Sequence, residues 1–247
     1  MKKYKLILSY DGTRFGGWQV QPNATSIQTL VQNALSTALR SPTDLTGAGR
    51  TDAGVHALAQ TAHFITEIPF DPLKLHASLN GLLPPDIRVR SIAPAEDTFH
   101  ARYSAKSKIY HYNLHLNQIP NPFDRLYSVH IPYPLDLPLL HQAANSFIGT
   151  HDFTSFANEA YRGSASRNAI RTLQRLDVRQ EKDRIRLEFQ ADGFLYKMVR
   201  NITGTLLDIA SGRIAPEKIP TILKAKDRRQ AGASAPAHGL FLADVIY

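Results

Sequence analysis

Gly47-Ala48-Gly49-Arg50-Thr51-Asp52-Ala53-Gly54-Val55-His56-Ala57 lies between a helical pattern and a strand pattern in this 247-residue chain, and its reading decides what the rest must build. Three glycines surround one guanidinium and one carboxylate. Glycine permits φ > 0 and close approach of the backbone to a ligand, so Gly47, Gly49 and Gly54 suit a loop that presents something. Arg50 and Asp52 stand two residues apart, so in an extended segment both side chains leave the same face. An ordinary turn, with Asp52 bonding its own backbone and Arg50 solvated, satisfies the same pattern. On these residues alone both readings stay open.

Outward from the loop, the chain alternates between strand and helix periods. Lys5 to Tyr10 alternates as a strand. From Ser26 to Leu39, apolar Ile27, Leu30, Val31, Ala34, Leu35 and Ala38 recur at helical spacing, with Thr25 or Ser26 as the cap. After the loop come a strand near Thr61 to Thr66, a helix over Pro72 to Leu82 capped by Asp71, and a strand from Ile87 to Ile92. The second half starts with Lys108 to Leu116, where Tyr110, Tyr112, Leu114 and Leu116 share a face. A helix near Pro138 to Phe147 follows. Then comes a hairpin, Leu173 to Arg179 and Arg184 to Gln190, turned at Lys182-Asp183. Helices over Tyr196 to Ala210 and Glu217 to Leu223 lead to a last strand, Leu240 to Ile246. Two successive strand-helix-strand-helix-strand units predict an α+β fold of two ferredoxin-like halves. Residues 103 to 107 form the junction, with an N-terminal half over 1–105 and a C-terminal half over 106–247 in one catalytic unit.

A hydrophobic content of 43% supports a sizeable core. No apolar run reaches the ~18 residues that a membrane span needs. Met1-Lys2-Lys3-Tyr4-Lys5-Leu6 leads straight into strand alternation without a signal core. The absence of cysteine excludes disulfides and thiolate metal sites and fits a cytoplasmic protein. None of the ten histidines forms a His-Glu-x-x-His pair, and His151-Asp152 reads as a structural pair. Gly47-Ala48-Gly49 lacks the third glycine of a dinucleotide loop, and there is no P-loop lysine. A net charge of +8 points toward a polyanion. Arg162, Arg167, Arg171 and Arg175 are interleaved with Tyr161, Ser164, Ser166 and Asn168, all able to contact phosphates, and Lys224, Lys226, Arg228 and Arg229 form a second basic cluster.

The whole loop string resembles the signature of the tRNA pseudouridine synthase A family. Four further segments are similar to that family in the same order: Tyr10-Asp11-Gly12-Thr13 through Phe15, Gly17, Trp18, Gln19 and Gln21; Phe99-His100-Ala101-Arg102-Tyr103 with Lys108, Tyr110 and Tyr112; Phe194-Leu195 through Met198, Val199 and Arg200; and Ala235-Pro236-Ala237-His238-Gly239-Leu240. Ala59 stands where the family has glycine, and His111 where arginine is frequent. The resemblance implies the pseudouridine synthase fold: two ferredoxin-like halves sharing a mixed, largely antiparallel sheet with helices packed on it and a cleft between them. It implies isomerisation of uridine to pseudouridine in the anticodon stem-loop of tRNA, at positions 38, 39 and 40, with Asp52 as nucleophile. By the same resemblance Arg200 is the cation beside that carboxylate, Tyr110 lies over the target uracil, and Leu240 packs on its other side. Arg50 is suitably placed to fill the space an extruded nucleotide leaves. The implied partners are tRNA and a second copy of the chain, in a cytoplasmic homodimer with no cofactor, metal or membrane. Phe15 and Trp18 are expected to stabilise their own loop.

Two rivals use the same residues differently. A carboxylate nucleophile also serves glycosidases, which want a second carboxyl about 5–10 Å away. A non-catalytic RNA-binding protein would keep the basic surface and the aromatics but has no need of Asp52 or Arg200.

Overall fold

Leu6, Leu8 and Tyr10 alternate on the first strand and are buried, as period-2 patterning requires. The computed structural model describes residues 1–158 and 168–247. Tyr161, Arg162, Ser164, Ser166 and Arg167 of the basic stretch lie outside the described residues. The fold is mixed α+β with mostly antiparallel strands, and by internal contacts it divides into two units. Unit 1 is Met1–Lys106 with Phe241–Tyr247, and unit 2 is Ser107–Leu240.

In unit 1, β1 (Lys2–Tyr10) is central. It runs antiparallel to β3 (His56–Thr66) on one side and to β4 (Ile87–Ala95) on the other, and β2 (Thr46–Gly47) pairs with β3. Helix α1 (Ile27–Leu39) begins at Ser26, which accepts the Thr29 N–H at 3.2 Å, and buries Ile27, Val31, Ala34, Leu35 and Leu39. Each such aliphatic side chain contributes roughly 1.5–3 kcal/mol on full burial. Helix α2 (Pro72–Leu82) starts as expected, with Asp71 accepting from Leu73 N–H at 2.9 Å and proline in the first turn.

Two strands of this unit run past their expected ends. β3 begins at His56 instead of near Thr61, because backbone pairing holds His56 to Gln60 where apolar alternation is absent. Ala57 lies opposite Tyr10, and His56 and Ala57 pair in parallel with Phe241 and Leu242 of β10 (Leu240–Ile246). β4 continues to Ala95 and takes in Pro94, which an edge strand tolerates. The expected division placed the last strand with the C-terminal half. Its residues Phe241–Tyr247 group instead with unit 1, through that pairing with β3.

Unit 2 orders its strands β5 (Ser107–His115), β9 (Arg184–Ala191), β8 (Ile170–Glu181) and β7 (Gly149–Asp152), all antiparallel. The short β6 (Val129–His130) runs parallel to β5. Tyr110 lies opposite Phe189, which lies opposite Leu176, and Tyr112 opposite Leu187, which lies opposite Val178, so one face of the sheet is a continuous buried layer. Helices α3 (Leu137–Asn145) and α4 (Met198–Ala210) lie against one another, and α3 also meets β8. Asp136 caps α3 through the Leu139 N–H at 2.9 Å.

Several expectations shift here. Helix α4 begins at Met198, not Tyr196, since Lys197 sits at φ 61 and cannot be helical. Glu217 to Leu223 resolves into a 3-10 turn, Pro216–Lys218, followed by α5 (Ile219–Ala225). Leu116 falls outside β5. Strands β2, β6 and β7 were not expected, because two to four residues carry no measurable periodicity. Among the described residues no helix is long and apolar enough to cross a membrane.

Candidate active site

The glycine-rich loop is secured from both sides before it reaches Asp52. Ala48 N–H donates to the Thr61 carbonyl at 2.8 Å, and Gln60 Nε2 donates to the Gly49 carbonyl at 2.8 Å. Trp18 N–H donates to the Thr51 carbonyl at 3.0 Å, and Thr51 Oγ1 meets the Tyr10 hydroxyl at 2.8 Å. Beyond Asp52 the chain turns sharply. Val55 N–H closes on the Asp52 carbonyl at 3.1 Å, and Gly54 takes φ 76. Thr51 and Val55 are buried, while Asp52 between them is partly exposed. Buried Thr51 and Val55 thus bracket one carboxylate at the boundary of solvent.

The segment after β1 completes the support. A Cβ on Gly12 would stand 1.9 Å from the Val55 carbonyl oxygen, so only glycine fits there. Gly47 is needed for space, because its Cβ would meet the Trp18 indole at 2.6 Å. Trp18 and Phe15 are 2% and 8% exposed, consistent with a structural role for both. Buried His56 accepts the Gly12 N–H on Nδ1 at 3.0 Å and stacks on Phe241 with ring centroids 4.6 Å apart. Asp11 Oδ1 lies 3.2 Å from the same ring nitrogen. Arg50 is exposed, and its Nε donates to Gln19 Oε1 at 3.1 Å.

The other residues singled out from the sequence lie in unit 2. Tyr110 is 7% exposed on β5, with the Phe194 ring set edge-on at 4.9 Å. Arg200 is in the first turn of α4. Its Nε donates to the Ala235 carbonyl at 2.7 Å, and Ala235 N–H donates back to the Arg200 carbonyl at 3.0 Å. The helix that carries it is entered through Lys197 in a left-handed conformation, which costs a non-glycine residue about 1–2 kcal/mol. Leu240 is buried at the start of β10, directly after a 3-10 turn at Ala237–Gly239. Tyr112 donates its hydroxyl to the Pro236 carbonyl at 2.8 Å. Burial pushes the Tyr112 pKa up, and the positive charge of Arg200 pulls it the other way.

Asp52 and Arg50 are thus presented by one loop, and Arg200 and Leu240 flank one short segment, residues 235 to 240. His151 and Asp152 are structural: His151 Nε2 reaches the Ile148 carbonyl at 3.2 Å, while Asp152 pairs with Lys226 at 2.8 Å. Among the described residues no group of three or more His, Asp or Glu could hold a metal ion. Sequence reasoning missed the supporting residues Thr51, Gln60, Asn201 and Ser234. Thr51 was inside the decisive string, but its partner Tyr10 is 41 positions away.

Comparison with known proteins shows the family. A family model described as tRNA pseudouridine synthase matches residues 6–104 and 143–247. The chain is 55% identical over 248 residues to tRNA pseudouridine synthase A 1 of Protochlamydia amoebophila, covering all of this chain and 97% of that protein. It is 40% identical over 247 residues to tRNA pseudouridine synthase A of Acetivibrio thermocellus, covering both chains fully. Against the protein of that name from Chlamydia pneumoniae it is 42% identical over 252 residues, covering all of this chain and 92% of that one. Fold and relatives define an isomerase that forms pseudouridine in tRNA. The chain belongs to the tRNA pseudouridine synthase A family.

Proposed function

We propose that this enzyme isomerises uridines 38, 39 and 40 of the tRNA anticodon stem-loop, with Asp52 as the nucleophile. The observation that carries the reading is the Asp52 loop: it is hydrogen-bonded on both sides, with Thr51 and Val55 buried, while Asp52 stays partly exposed. Such preorganisation suits a group that must attack one defined carbon.

In the reaction the N1–C1′ bond breaks, the uracil rotates, a C5–C1′ bond forms, the C5 proton leaves to water, and N1 takes up a proton in its place. Asp52 attacks C1′, attacks C6 of the uracil, or assists glycal formation; each path needs it ionised. Arg200 is the cation that favours the ionised form. Tyr110 lies over the uracil and assists removal of the C5 proton, Leu240 packs on the opposite side of the base, and Arg50 fills the space left by the extruded nucleotide or holds the backbone. Isomerisation conserves the electrons of the nucleoside, so the scheme calls for no cofactor and no metal. The enzyme works in the cytoplasm as a homodimer, one tRNA touching both subunits. The charge of +8 supports binding to the phosphate backbone, and closed two-fold dimers are the commonest oligomers.

The test is tRNA tritiated at uracil C5. Label should pass to water from tRNA carrying uridine at 38, 39 or 40, and not from tRNA with cytidine at all three. Release from the cytidine-substituted tRNA would reject the anticodon-arm assignment. Sedimentation at micromolar concentration tests the dimer, which a fully active species of 27.5 kDa would exclude.

A further inference from the structure

Residues 231 to 236 lie along α4 and are tied down almost one by one. Gly232 N–H donates to Thr205 Oγ1 at 2.9 Å. Gly204 lets the strap approach, since a Cβ there would meet the Ala233 carbonyl oxygen at 1.7 Å. Ala235 exchanges its two bonds with Arg200, and Pro236 accepts the Tyr112 hydroxyl. At the centre is Asn201, next to Arg200 on the helix and fully buried. Its Nδ2 donates to the Phe156 carbonyl at 2.7 Å and to Asn158 Oδ1 at 3.0 Å. Its Oδ1 receives both Ser234 Oγ and Arg228 Nη2, the latter at 3.0 Å. Arg228 spans the strap, with Nη1 on the Ala231 carbonyl at 3.2 Å and Nη2 also 3.3 Å from Ser234 Oγ.

This planar fork reaches three oxygens: one on the helix, the others at residues 231 and 234 of the strap. Lysine has no such fork. The Ala235 carbonyl that grips Arg200 is one residue beyond the last of these contacts. We propose that Arg228, acting through Asn201 and Ser234, is a positioning residue that sets the strap and so fixes the Arg200 guanidinium for the isomerisation step. The proposal rests on the reading of Arg200 as the active-site cation. Arg228 belonged to the second basic cluster read from the sequence; this geometry directs its guanidinium to the strap and helix oxygens.

Single-turnover release of C5 tritium, tRNA affinity by filter binding and thermal melting are measured for Arg228→Met, Ser234→Ala, Arg200→Lys and the Arg228→Met/Arg200→Lys pair. Arg228→Met should slow the single-turnover step by about 10- to 100-fold, as sub-ångström misplacement of a reacting group does. Its tRNA affinity should stay within about twofold, as few phosphate contacts would change. In the Arg200→Lys background the further loss should shrink to under about threefold, the non-additivity of coupled residues. Weakened tRNA binding with a normal single-turnover rate would make Arg228 a phosphate contact and overturn the proposal. A loss fully multiplicative with that of Arg200→Lys would also overturn it while leaving the reading of Arg200 intact. Wild-type rate in Arg200→Lys itself would show that no fixed guanidinium is needed, which overturns the proposal and leaves the reading of a cation at this position intact. Should Arg228→Met not fold, Ser234→Ala carries the test: a slowing that shrinks in the same way in the Arg200→Lys background, with tRNA affinity kept, supports the proposal, and an unchanged rate overturns it.

Discussion

The Tyr10 hydroxyl and Thr51 Oγ1 meet at 2.8 Å, joining the end of the first strand to the residue before Asp52. Both side chains are buried, Tyr10 at 4% exposure and Thr51 at 6%. Burial pushes the Tyr10 pKa up, and its bonds to Thr51 and Gln60 moderate the rise, so the phenol stays a neutral partner across the ordinary pH range. Tyr10→Phe keeps the ring and strands the Thr51 hydroxyl. A buried polar group left without its partner costs about 1–3 kcal/mol. Unfolding free energy should fall by that amount, lowering the urea midpoint at unchanged m-value, and pseudouridine formation should slow as the Asp52 loop loosens. A variant as stable and as active as the parent would show that this bond supports neither.

Two glycines test packing in opposite directions. Gly12→Ala drives a Cβ into the Val55 carbonyl, where both partners are backbone and cannot yield, so roughly 3 kcal/mol of stability should be lost. Gly81, in the last turn of α2, has open space around its would-be Cβ, and Gly81→Ala should gain up to about 0.5–1 kcal/mol. Thermal melts of the two variants should move apart.

Asp52→Asn preserves shape and removes the nucleophile. Turnover should drop on the order of 10⁴-fold or more, with tRNA affinity within a few-fold because phosphate contacts carry most of it. Substantial activity in the purified variant would eliminate Asp52 as nucleophile.

Tyr110→Phe separates ring from hydroxyl. The buried ring and its edge contact with Phe194 remain, so the melting temperature should hold. The single-turnover rate should fall by about 10²-fold, the low end of what a positioned acid–base group contributes. An unchanged rate would limit Tyr110 to packing.

His63 gives the stability of unit 1 a pH dependence. Its Nδ1 accepts the Ala101 N–H at 3.1 Å, and its pKa is lowered from 6.5 to about 4 by burial first, then by His100 and Lys3. The unfolded chain therefore binds a proton that the folded chain refuses. Stability from this group is fully present above pH 6.5 and declines as pH falls toward about 4. His63→Asn keeps an acceptor for Ala101 and does not titrate. Urea midpoints of parent and variant should run parallel above pH 6.5 and converge or cross below it. Parallel curves throughout would mean that His63 contributes no linkage.

The sequence by itself determined the elements whose information is local. Helix α1 follows from apolar residues at helical spacing behind Ser26, α2 from Asp71 and Pro72, and β1 from the alternation of Leu6, Leu8 and Tyr10. The eleven residues around Asp52 and the four companion segments also carried the family. Tertiary structure alone decided what depends on distant pairs. Phe241 and Leu242 join β3 beside the loop, Tyr10 reaches Thr51, and Tyr112 reaches Pro236 across 124 positions. It also turned Arg228 from a surface charge into a brace within the fold. The physical reason is range. Periodicity and capping act over one or two turns of chain and can be read along it. A hydrogen bond closed over dozens of residues leaves no repeat in the sequence, and only the folded backbone selects which donor meets which acceptor.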